Sequence, residues 1–131
     1  MSEHQGAVRL QTPLRRVRKL GSAKSGTHHW WLQRVSAMAL LPLTIWFTFG
    51  VAGLAGAPYE RVLAWIGHPF HAVLLLLLIG VGFHHTAAGL QVVIEDYTQH
   101  EGTRQAMNLL QKAICMVLAL VAALAVLRIA L

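Results

Sequence analysis

The sequence predicts an all-α integral membrane protein with three transmembrane helices, and three observations lead there. Of its 131 residues, 56% are hydrophobic and 12% charged, with a mean hydropathy of +0.54. A soluble domain this small cannot hide so much apolar surface, whereas a bilayer solvates it directly. The apolar residues gather into three runs of membrane length joined by short polar links. The cations, finally, are segregated: Arg9, Arg15, Arg16, Arg18, Lys19 and Lys24 all precede the first apolar run.

Residues 1–26 are polar and basic and carry Pro13, Gly21 and Gly26, which predicts an irregular arm on one side of the membrane. The net charge of +6 does not read as a nucleic-acid surface, because the cations are not spread over a folded face with interleaved aromatics. They read as topology determinants held near anionic headgroups. No apolar segment falls in the first 28 residues, so an ordinary cleaved secretory signal is not expected. Glu3 and the modest serine content argue against an organellar transit peptide, and a bacterial inner membrane is expected over a mitochondrial one.

Residues 27–131 are expected to form the anchor domain, with spans at about 30–55, 69–94 and 107–131, each near the roughly 20 residues needed to cross. Thr27 is the expected N-cap of the first helix, ahead of Trp30 and Trp31, which favour the headgroup layer. Pro42 predicts a kink, since it removes one helical hydrogen bond. The link 56–68 carries Tyr59, Glu60, Arg61 and Trp65, a mixture suited to an interfacial segment. A polar connection, 95–105, joins the second span to the third. Six cations in the arm against Arg61 alone in the 56–68 link put the arm and the 95–105 connection in the cytoplasm and the C-terminus opposite. Cys115 has no thiol to pair with and is expected to be a small packing residue.

The second span holds the chemistry, in His84-His85-Thr86-Ala87-Ala88-Gly89-Leu90-Gln91-Val92-Val93-Ile94-Glu95-Asp96-Tyr97. Polar groups at membrane depth are costly, so each needs a partner or a task. His85 and Asp96 share one helix face, about 16 Å apart along the axis, and could line one wall with two ligands. His85 is either a haem-iron ligand or a histidine bonded to the backbone of a neighbouring helix. Gly82 and Gly89 leave room beside it for a flat macrocycle or a close helix. His84 points about 100° away and is the weaker candidate, and His71 is expected at the far interface. His28, His29 and Arg34 cluster where the first helix begins; they suit haem propionates or a quinone oxygen, or simple headgroup contact. Glu95, Asp96 and Glu101 sit where the helix dipole disfavours anions. A carboxylate beside Tyr97 could relay protons and present a phenolic donor to a quinone, while Glu101 reads as a solvated loop residue.

Two features together, Gly-Thr-His-His-Trp-Trp-Leu-Gln-Arg at 26–34 and the spacing of His85 to Asp96-Tyr97, resemble the small hydrophobic membrane anchor subunits of succinate dehydrogenase, respiratory complex II. The resemblance spans roughly residues 21–131 and the three-span plan. It implies that His85 is an axial ligand of haem b, with the other ligand from a second anchor subunit. It further implies that Tyr97 hydrogen-bonds ubiquinone, that Asp96 lies beside that pocket, that His28 lies near a haem propionate, and that Arg34 is a basic residue of the same region. His29 stands where some relatives carry an acidic residue. The implied partners are the second anchor, an iron-sulfur subunit, a flavoprotein subunit and the lipid membrane. No flavin fingerprint or cysteine cluster is present, so succinate oxidation is not expected from this chain itself. Alternatives from other classes are a fumarate reductase or other cytochrome b anchor, and a haem-free membrane scaffold.

Overall fold

A computed structural model describes residues 24–131, which form four helices: α1 (Lys24–Gly53), α2 (Tyr59–Gly67), α3 (Pro69–Tyr97) and α4 (Glu101–Ala130). Most of the basic arm lies outside the described residues. α1, α3 and α4 are each long and apolar enough to cross a membrane. At 29 or 30 residues each is about 45 Å long, some 15 Å more than a hydrocarbon core of about 30 Å. The surplus falls on the polar ends.

That surplus corrects two sequence-based expectations. Thr27 does not cap α1, because the helix begins at Lys24, and the 95–105 connection shrinks to residues 98–100. Polar residues do not end a helix unless something competes for its backbone. Here side chains spaced along the helix support it instead: Gln91 Nε2 donates to Glu95 Oε1 (2.7 Å), and Arg104 pairs with Glu101 (3.9 Å). Pro42 lies inside α1, which continues through it. The hydroxyls of Thr44 and Thr48 turn back to the carbonyls of Leu40 and Thr44 (2.7 and 2.8 Å), so neither needs a partner in lipid.

Between α1 and α2 the chain turns at Gly56, whose φ of +74° suits a residue without a Cβ. α3 starts with Pro69, where a missing N–H costs nothing, and the His68 ring accepts from the Phe70 N–H (3.3 Å). α3 is the central wall: α1 and α4 both pack on it, and they do not pack on each other. Such a layer encloses little. Among the described residues only Ser36, Ala72, Leu75, Ala88 and Cys115 are buried, and small residues at these contacts let the helix backbones approach.

α2 packs on α3 and α4, and an aromatic cluster ties it to α1 and α3. Trp65 stacks on Trp46 (ring centroids 5.5 Å apart, 15° between planes) and lies 4.5 Å from the His71 ring. His71 donates from Nδ1 to the Trp65 carbonyl (2.8 Å). It sits near the start of α3, with α2, at the far end from Tyr97. Gly50 makes this cluster possible, since a Cβ there would meet Trp65 Cζ2 at 2.6 Å. Gly50→Ala is therefore expected to cost about 1–3 kcal/mol by overpacking. Thermal denaturation of the purified protein measures it, with Gly53→Ala, which meets nothing within 4 Å, as the control expected to be near wild type. Equal behaviour of the two variants would show that the Trp46–Trp65 stack gives way freely.

Candidate functional site

α1 and α3 are antiparallel and in a defined register. Gln33 lies against Gly89 and Leu40 against Gly82, at 3.6 and 4.0 Å from the points where Cβ atoms would stand. Both glycines thus serve a close helix. This register brings the start of α1 and the Asp96-Tyr97 end of α3 to the same membrane face.

Midway along α3, His85 is half-buried and its Nδ1 lies 2.9 Å from the Ser36 Oγ of α1. The bond is to a side-chain hydroxyl, not to the backbone of a neighbouring helix. Ser36 also donates to the Gln33 carbonyl (3.0 Å). His85 Nε2 makes no hydrogen bond among the described residues. The ring lines a groove of about 410 Å³ with apolar walls from Leu40, Leu78, Ile79 and Phe83, and with Gly82 and Thr86 at its edge. An imidazole with one nitrogen anchored and the other unbonded beside an apolar groove suits one axial bond to a macrocycle's iron. Among the described residues no three His, Cys, Asp or Glu gather to hold a metal ion by themselves.

His84 is exposed and turns toward a second groove of about 490 Å³, shared with His29, Gln91 and Lys112. It does not join His85. Across the same stretch α4 is tied to α3 by Gln111 Nε2, which donates to the Ala87 carbonyl (3.2 Å), and Cys115 is buried in this contact.

Asp96 and Tyr97 are exposed at the last turn of α3, Tyr97 to 85%, and neither side chain makes a hydrogen bond or ion pair among the described residues. By helical rise Tyr97 stands about 18 Å from His85. His28 is likewise exposed in the first turns of α1, and Arg34 is exposed with its guanidinium 5.4 Å over the Trp30 ring. That contact holds the cation near the interfacial tryptophan. Thus the structure joins His85 to Ser36, and leaves His28, Arg34, Asp96 and Tyr97 as open groups near one face.

Sequence reasoning missed Ser36 and Gln33. Their signal was available: a hydroxyl and an amide within an apolar run have to find partners. Two more polar atoms, Gln33 Oε1 and Asn108 Oδ1, are buried with no partner among the described residues.

Residues 8–127 match the family described as the succinate dehydrogenase/fumarate reductase transmembrane subunit. Curated relatives include the succinate dehydrogenase hydrophobic membrane anchor subunit of Paracoccus denitrificans, 42% identical over 99 residues, which are 76% of this chain and 76% of the relative. That of Rickettsia conorii is 32% identical over 103 residues, 78% of this chain and 82% of the relative. The succinate dehydrogenase membrane anchor subunit of Reclinomonas americana is 33% identical over 84 residues, 62% and 70%. No solved structure matches the chain. The chain belongs to the succinate dehydrogenase/fumarate reductase transmembrane subunit family.

Proposed function

We propose, with that family membership as the premise, that this membrane anchor co-ligates haem b through His85 and supplies part of a ubiquinone-reduction site through Tyr97 and Asp96. The observation that carries the reading is His85 itself, a histidine at mid-membrane depth with Nδ1 anchored and Nε2 unbonded beside an apolar groove. The remaining iron ligand would come from a second anchor subunit. When bound, haem b supplies a one-electron carrier within the membrane. A flavoprotein subunit oxidises succinate, an iron-sulfur subunit brings the electrons to the membrane face, and ubiquinone takes up two electrons and two protons to become ubiquinol.

The residues of this chain bind and orient. The Tyr97 hydroxyl donates a hydrogen bond to a quinone carbonyl oxygen, and the Asp96 carboxylate beside it relays protons from the aqueous edge. His28 and Arg34 present cationic or donor groups to carboxylates at the same face, as haem propionates require. The exposure of these four side chains is what a pocket completed by other subunits needs. The arm and the 98–100 turn face the cytoplasm in this reading, in a bacterial inner membrane. The family description also covers fumarate reductase, but the curated relatives are named for succinate dehydrogenase, which favours electron flow toward the quinone.

A tag on the exposed C-terminal Leu131 tests this in one preparation. The detergent-solubilised complex is expected to contain the flavoprotein, iron-sulfur and second anchor subunits and to show a low-spin b-type absorption band. Those subunits without the band would refute haem ligation; the chain without those subunits would refute the assembly. For orientation, cysteines introduced at Ala57 and Thr103 are read against a low background, because Cys115 is buried. Thr103→Cys should label from the cytoplasmic side and Ala57→Cys from the other.

A further inference from the structure

Ser36 is the one buried polar residue among the described residues, and its surroundings are those of a lipid-embedded helix. A hydroxyl in such a place is retained only with its hydrogen bonds made. It has two partners, the Gln33 carbonyl at 3.0 Å and His85 Nδ1 at 2.9 Å, but a single proton. The carbonyl can only accept. When the Ser36 proton goes there, Nδ1 has to carry a hydrogen and donate it to Oγ, and both bonds form. With the opposite tautomer, the Nδ1 lone pair and the Gln33 carbonyl compete for one proton and one bond is lost. A lost hydrogen bond changes a population about three- to tenfold.

From this geometry we infer that Ser36 is a positioning residue for His85: it holds the ring in the Nδ1–H tautomer and so leaves the Nε2 lone pair for the metal. The inference rests on the proposed haem ligation. Histidine ligands are commonly oriented in this way by an acceptor at the other ring nitrogen, which also makes the ligating nitrogen more basic. Here the acceptor comes from a different helix, 49 residues away in sequence. The approach of α1 at Gly82 and Gly89 delivers it, so helix packing sets the ligand's orientation. A more basic ligand favours ferric over ferrous iron, and loss of the acceptor should therefore raise the haem midpoint potential.

The experiment uses the intact complex carrying Ser36→Ala, Ser36→Thr or His85→Ala, with haem content, potentiometric titration and the ferric low-spin resonance as readouts. Ser36→Ala is expected to shift the ferrous-to-ferric ratio at a fixed poise upward about three- to tenfold, at about 59 mV per tenfold for one electron. Ser36→Thr, which keeps a hydroxyl, is expected to titrate as wild type. Loss of haem in the alanine variant with retention in the threonine variant supports the inference equally. An unchanged or lowered potential in Ser36→Ala overturns it, as does haem loss from both variants. If instead His85→Ala retains its low-spin spectrum, haem ligation by His85 fails, and that is a different result from an unresponsive Ser36→Ala beside a bleached His85→Ala.

Discussion

Replacing His85 with alanine is expected to abolish the low-spin b-type spectrum of the complex, or to convert it to a high-spin form, while the anchor still assembles. The two outcomes differ only in whether the ligand proposed on a second anchor subunit would retain the haem alone. Assembly should survive because the contacts that hold α1 and α4 on α3 are made elsewhere, by Gln33, Leu40 and Gln111. Removing the ring leaves Ser36 its bond to the Gln33 carbonyl, so no hydroxyl is orphaned in the membrane. Absorption spectra of dithionite-reduced membranes and of the purified complex read the result. An unchanged low-spin spectrum would sink the assignment of His85. Succinate-to-quinone turnover should persist in part, since the proposed quinone site at Tyr97 stands about 18 Å from His85, on the side where the proposed soluble subunits would deliver electrons.

For Tyr97→Phe, the expected result is a loss of quinone reduction with electron delivery to an artificial acceptor intact. The substitution keeps the ring and removes the hydroxyl, and Tyr97 is 85% exposed, its hydroxyl without a hydrogen bond among the described residues. A lost hydrogen bond to a neutral acceptor is worth about 0.5–1.5 kcal/mol, or roughly three- to tenfold in turnover. Negative charge growing on the quinone oxygen during reduction makes the hydroxyl worth more, so tenfold is the nearer limit. The two turnovers are compared in one preparation. Equal loss of both would point to damaged assembly, and undiminished quinone reduction would remove Tyr97 from the site.

Much of this fold was legible before any coordinates. Hydrophobic runs of membrane length need no partner to be recognised, and the short links between them force antiparallel neighbours. The 56–68 link, expected at the interface from its mixture of aromatic and charged residues, holds the amphipathic helix α2. Helix ends were less legible. Glu95, Asp96, Glu101 and Thr27 read as boundaries by polarity, yet the backbone stays helical through them because outside the hydrocarbon a polar side chain is no obstacle. Ser36 and Gln33 went unnoticed for a related reason, since their neighbours in sequence say nothing of what they touch.

By itself the sequence determined how many helices are long and apolar enough to cross, how far apart the histidines stand along them and which polar groups share an end, because a rise of about 1.5 Å per residue turns spacing into height. It also determined the family, through the 26–34 motif and the spacing from His85 to Asp96-Tyr97. Azimuth was left to the tertiary structure. A helix solvated by lipid on most sides is apolar nearly all round, so no periodic stripe marks the face that meets its neighbour. Only packing decided that α3 is the central wall, that Gly82 and Gly89 admit α1, and that a serine 49 residues away reaches the Nδ1 of His85.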